Sequence, residues 1–188
     1  MPKTLFFTII ALICVCSGCG KVRQLTNINV DIPYNYQQSV PSIPGDTVTT
    51  VLPVGGIPLP FPSVGIATNS QQYIATYGTA TNLVLNVYLK SLAIQIQTPP
   101  NQNFNFLDYM DVYISSRTQP EVLIASQHAV AKGQSTLNLV PDTTVNLKSY
   151  FLEDTIYFRL SAHINAVPPA GEELNMATVL HMLANPLQ

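Results

Sequence analysis

The chain has 188 residues with 8 Lys and Arg against 10 Asp and Glu, and no basic cluster exceeds Lys21 with Arg23. That balance excludes the electrostatic footprint a nucleic-acid partner demands. Charged residues are only 10% of the chain, against ~25% in ordinary globular proteins, so Asn, Gln, Ser and Thr must cover the surface, as suits an object held at a membrane or packed in an assembly.

The first element is an export signal. Lys3 supplies a positive start, Leu5 to Val15 is an unbroken apolar run, and Cys16-Ser17-Gly18 brings small residues up to Cys19. The run is shorter than the ~20 residues a membrane-spanning helix needs, so it reads as a removable leader. All three cysteines lie between positions 14 and 19, which leaves the rest of the chain without disulfide or thiol chemistry. Cys14 and Cys16 follow the bulky Ile13 and Val15, whereas Cys19 follows the small Gly18.

These residues resemble the bacterial lipobox, with Cys16 standing where leucine is usual. The resemblance implies that residues 1–18 are cleaved, that Cys19 carries lipid, and that residues 19–27 form a tether. Two or more acyl chains give lasting attachment where one does not, so the membrane is the implied partner. Gly20 follows the cysteine where an aspartate would signal inner-membrane retention. The resemblance therefore implies the outer membrane, with its periplasmic or its external face left open.

From Ile28 the even positions Ile28, Val30, Ile32, Tyr34 and Tyr36 are apolar, the period of a half-buried strand. Pro33 cannot donate to a ladder and puts this strand at a sheet edge. Residues 41–65 hold six prolines between Pro41 and Pro62 and admit no helix. Within them, the Ile57 to Pro62 run is expected to pack as an extended segment or to stand exposed as an apolar loop. Residues 28–68 thus form an N-terminal strand with a Pro/Gly-rich extension, and 69–188 the main domain.

Asn69 to Gly78 reads as a short helix, capped by Asn69 or Ser70 and stopped by Gly78. Leu83, Leu85, Val87 and Leu89 alternate on odd positions and Leu92, Ile94 and Ile96 on even ones, so a bulge or a change of sheet is expected at Lys90-Ser91. Phe104, Phe106 and Leu107 form an apolar plug. Strands follow around Met110 to Ile114, Glu121 to Ser126 and Ser135 to Val140, and Thr144 to Tyr150 reads as a helical turn or crossover. Ile156 to Ala166 turns its even positions inward, and Pro168 to Gly171 leads into a last strand from Leu174 to about Ala184. About seven to eight short strands with almost no helix predict an all-β, antiparallel, immunoglobulin-like β-sandwich with one or two short helices. From Asn82 onward the chain also resembles uncharacterised bacterial envelope lipoproteins with an immunoglobulin-like domain.

Catalytic and cofactor motifs are missing. There is no H-E-x-x-H, no G-x-S-x-G elbow, no phosphate loop and no dinucleotide fingerprint, so no metal, no cofactor and no catalytic residue is assigned. His163 and His181 would lie apart, with His181 near Arg159, if the last two strands formed a hairpin. Glu153-Asp154 and Glu172-Glu173 read as solvated charge, and Asp108 with Asp111 as loop carboxylates able to meet calcium. An enzyme would need at least two of Asp108, Asp111, Glu121, His128 and His163 in one concave site.

Sugar binding rests on exposed aromatic rings, for which Tyr73, Tyr77, Tyr109, Tyr113 and Tyr157 are candidates; Tyr109, Tyr113 and Tyr157 are carried forward as ligand-binding residues. The expected function is a non-enzymatic, lipid-anchored envelope protein acting as a structural or interaction component of an outer-membrane or surface assembly, with an envelope protein as partner. A carbohydrate- or ligand-binding surface lipoprotein is the alternative.

Overall fold

Alternating burial runs through nearly every strand. The computed structural model describes residues 27–41 and 52–187; the leader, Cys19 and most of the tether lie outside the described residues. Strand β1 (Ile28–Ser39) buries Val30, Ile32 and Tyr34 and turns Asn29, Asp31, Pro33 and Asn35 outward. It pairs antiparallel along its whole length with the last strand, β9 (Glu173–Ala184), from Ile28 opposite Ala184 to Ser39 opposite Glu173. β9 pairs on its other side with β4 (Val84–Thr98), and β4 with β7 (Thr136–Pro141), giving a first sheet in the order β1-β9-β4-β7.

The second sheet runs β6 (Val122–His128), β5 (Leu107–Ser116), β8 (Thr155–Ile164), and along the free edge of β8 come β2 (Ile57–Pro60) and β3 (Val64–Ala67). The two sheets join only where Ala125 and Ser126 of β6 pair with Pro141 and Val140 of β7. Across the core, the Tyr36 ring stacks on Phe158 at 5.7 Å between centroids, and the Tyr34 hydroxyl donates to the Thr68 carbonyl. Burial in this apolar interior pushes both tyrosine hydroxyls far above their ordinary range.

The all-β antiparallel sandwich is as expected, and its strand order is more specific. Immunoglobulin order sets the first strand beside the second; here the first strand lies beside the last, which together with the two interleaved sheets is jelly-roll connectivity. Periodicity fixes which face of a strand is buried and carries no information about its neighbour. Proline sits on both outer strands, Pro33 on β1 and Pro58 and Pro60 on β2, where missing donors blunt the free edges. The Ile57 to Pro62 run packs: Leu59 and Phe61 are buried while Pro58 and Pro60 face out.

β4 carries the expected irregularity at Leu89/Ser91 and two more, at Val84/Asn86 and Ile96/Thr98. The first of these corrects the odd-position pattern, since Val84 is fully buried and Leu85 is 43% exposed. Ala166 is also exposed, because β8 ends at Ile164 and the chain leaves the sheet there. Helix α1 (Ser70–Thr76) stands where expected with Asn69 at its N-cap, in a left-handed conformation and making no side-chain capping bond, while the Thr68 hydroxyl accepts the Ser70 N–H at 3.3 Å. Phe104, Phe106 and Leu107 are buried as a plug, and a single turn, α2 (Lys148–Phe151), closes the expected stretch and runs one residue past it.

Glu172 departs from solvated charge. Its side chain is buried without a hydrogen-bond partner among the described residues, because the even positions that β9 turns inward, Leu174 and Met176, continue back through 172.

Candidate functional site

The outer face of β6-β5-β8 gathers the residues with chemical character. β5 turns Tyr109, Asp111, Tyr113 and Ser115 outward, and β8 turns Tyr157, Arg159, Ser161 and His163 the same way. The register sets them in rows: His128-Tyr109-His163, Ser126-Asp111-Ser161, Leu123-Tyr113-Arg159 and Ser115-Tyr157. Two bulges tune the pattern. One between Leu107 and Tyr109 lets Asp108 join Tyr109 on the outside, and one at Val112/Tyr113 buries both Ile124 and Ala125 and turns out Leu123.

Tyr109 is held between two imidazoles. Its ring lies 5.0 Å from His128 at 6° and 5.1 Å from His163 at 8°, the separation that neighbouring strands impose. The three rings stand as parallel plates whose inner faces cover one another, so they offer edges and the phenol hydroxyl to a visitor. Each imidazole meets a carboxylate at 3.2 Å, His128 Nε2 with Asp111 and His163 Nδ1 with Asp108. Hydrogen bonds from Asn165, and after it from His163, hold the Asp108 carboxyl below the usual carboxylate range.

Arg159 ties the next row. Its Nε and Nη2 donate to the two carboxylate oxygens of Glu121, both at 2.7 Å, and its guanidinium lies 4.3 Å from the centre of the Tyr113 ring. The fork of hydrogen bonds keeps the Glu121 carboxyl low. Two glycines on the neighbouring strand segments make room at this face. A Cβ on Gly65 would come within 3.1 Å of the Tyr157 ring, and one on Gly56 would lie 2.8 Å from the His163 ring and clash with the Ile164 carbonyl.

Tyr109, Tyr113 and Tyr157 thus share one sheet face, whereas Tyr73 and Tyr77 belong to α1 and its C-terminal end. Asp108, Asp111, Glu121, His128 and His163 also lie together on that face rather than scattered. Asp108 and Asp111 engage different histidines, and among the described residues no three His, Cys, Asp or Glu converge to hold a metal. His181 lies elsewhere. β8 and β9 are in different sheets rather than a hairpin, so it packs against Asp31 (2.7 Å) and Tyr88 instead of Arg159. The matched outward parity of Tyr109 and His163 was visible along the chain; that β5 separates β6 from β8, making a stack from three distant residues, was not. Cys19 lies outside the described residues.

No known protein family matches the chain, and no curated protein does. Among solved structures it is similar to a decameric BFDV capsid protein, at 8% identity over 84% of this chain and 98% of that one with a TM-score of 0.38. It is also similar to Desmodium yellow mottle tymovirus, at 15% identity over 87% of this chain and 92% of that one with a TM-score of 0.28. Likeness at this level speaks to neither function nor partner.

Proposed function

We propose that the chain is a non-enzymatic, lipid-anchored envelope protein that docks a protein partner on the outer face of β6-β5-β8, as an interaction component of an outer-membrane or surface assembly. The observation that carries this reading is the His128-Tyr109-His163 stack beside the Tyr113-Arg159-Glu121 row. Tyr and Arg are the residues that anchor protein interfaces, and here they are held rigid before any partner arrives. Asp108, Asp111 and Glu121 outnumber Arg159 in these rows, so the complementary partner surface is basic. Sugar recognition by stacking needs a free ring face; both faces of Tyr109 are taken, and Arg159 covers Tyr113. Among the described residues each imidazole of the stack meets a carboxylate and no serine hydroxyl, so neither is placed to activate a serine.

A photo-crosslinker at Leu123 or Tyr157, with Asn138 on the opposite sheet as control, tests the docking face in intact envelopes. One discrete protein adduct from Leu123 and Tyr157, lost on Asp111→Lys with Glu121→Lys and weakened by salt, is the expected result. Equal adducts from Asn138, or glycan adducts alone, would overturn it. For the anchor, Cys19→Ala is expected to release the protein from membranes, and unchanged attachment would refute the lipid.

A further inference from the structure

The outer face of the first sheet ends in a hollow of about 420 Å³ at the loop between β4 and β5, within the range of small-molecule sites. Its walls carry Gln95 and Gln97 from β4, Asn175 from β9, Asn101 and Gln102 from the loop, and Ser135 ahead of β7. Among the described residues no ionisable side chain lines it. The nearest acidic residue on that face of β9 is Glu173, one outward position from Asn175 and opposite Ser39 and Thr98.

From this arrangement we infer a binding site for a neutral glycan. Every side chain at the wall that reaches in with a polar atom is an amide or a hydroxyl, and each primary amide offers two donors beside an acceptor. A sugar hydroxyl likewise donates and accepts, so adjacent hydroxyls match adjacent amides without leaving a charge unpaired. An anionic ligand would meet no cation among the described lining residues, which costs more than the hydrogen bonds return, and the neighbouring Glu173 repels an acidic sugar.

The site is preformed. Asn175 is paired in register with Gln37 on one side and Gln95 on the other, and Gln95 with Thr136 beyond, so a polar row crosses four strands. Gln37 Nε2 donates to Gln97 Oε1 at 2.7 Å, which fixes the Gln97 amide. The loop wall is pinned by the Phe104 N–H to the Gln134 carbonyl at 2.7 Å and by the Ile96 N–H to the Ser135 carbonyl at 3.3 Å. The next row along the face places Ala177 beside Ala93, with Asn35 and Asn138 flanking them. That strip of small side chains leaves a shallow track along which a second sugar unit can lie. Its location is distinct from the protein-docking face, which is on the other sheet.

Titration of the ¹⁵N-labelled full chain with neutral glucose-, galactose- and mannose-based oligosaccharides, and with uronic-acid counterparts, tests it directly through the side-chain NH₂ signals. A neutral oligosaccharide is expected to shift the signals of Gln95, Gln97 and Asn175 saturably. Gln95→Ala and Asn175→Ala should each weaken binding about three- to tenfold, and the shape-preserving Gln95→Glu and Asn175→Asp should do so as well. Tighter binding of a polymer than of its trisaccharide would assign an envelope polysaccharide; equal binding would assign a free sugar. Absence of shifts with every neutral sugar, equal binding of the acidic ones, or affinity untouched by these substitutions would overturn the inference.

Discussion

The two sheets share one core and differ in almost everything else. In the first, β9 is paired from end to end on both sides, and its outer face carries amides and alanines towards one end and the Asp31, Lys90, His181 and Tyr88 group towards the other. In the second, strands are shorter, the free edge of β8 is shared by two four-residue strands, and the outer face carries the histidines, tyrosines and ion pairs of the candidate site. The contrast teaches that end-to-end pairing and the three-ring stack with its Arg159 row are divided between the sheets. Long ladders supply the frame, while bulges on the shorter sheet re-aim Asp108 and Leu123.

The sharpest way to break that division is to empty the frame. Ile32, Leu180 and Leu89 form one inward row across β1, β9 and β4, each fully buried. Leu180→Ala is expected to cost about 2–5 kcal/mol in urea unfolding, whereas Leu123→Ala on the site face should stay within about 0.5 kcal/mol. Similar losses at both would show that the division is false. Native-state hydrogen exchange should give the same ranking, slowest in β9 and fastest in β2 and β3.

Glu172 offers the next effect in size. Burial pushes its carboxyl from 4.5 up to about 7, so the folded state favours the protonated form. Below about pH 4.5 the group is neutral folded or unfolded and costs nothing; stability falls as pH rises through the window to about 7 and is flat above it. Glu172→Gln removes the penalty and should raise stability by about 2–3 kcal/mol at about pH 8, with no change at about pH 4. A pH profile identical to that of the parent would refute this.

Surface pairs come last. Arg159→Ala removes the fork to Glu121 and the contact with Tyr113, and should cost about 1 kcal/mol while abolishing the crosslinked adduct. Lys90→Ala, which breaks the exposed pair with Asp31 on the first sheet, should cost less than about 0.5 kcal/mol, and less again in high salt. A larger loss at Lys90 than at Arg159 would reverse the assignment of chemistry to the second sheet.

Much of this was legible in the residues. Pro33 marked an edge strand, the change of parity at Lys90-Ser91 marked a bulge or a change of sheet, and the parity of Tyr113 and Tyr157 set them opposite the core residues, either exposed or paired on a second packed face. What escaped has one physical cause. Alternation is a local property of a strand, whereas the row that puts Tyr109 between His128 and His163, or His181 against Asp31, depends on which distant strands become neighbours. The bulge at Val84/Asn86 escaped for a smaller reason, since Val84 and Leu85 are both apolar and either could have turned inward. Glu172 hid in the same manner, a charged residue in a position whose parity belongs to the core.

The pairing of β1 with β9 has a consequence in time. β1 precedes every other described strand and finds its hydrogen-bonding partner only when β9 has followed, so this ladder is among the most non-local contacts of the described residues and slow to close. Until then Val30, Ile32 and Tyr34 remain without the neighbouring β9 row. A chain that still lacks β9 therefore holds β1 as a strand without its partner, and the two ends of the fold close together.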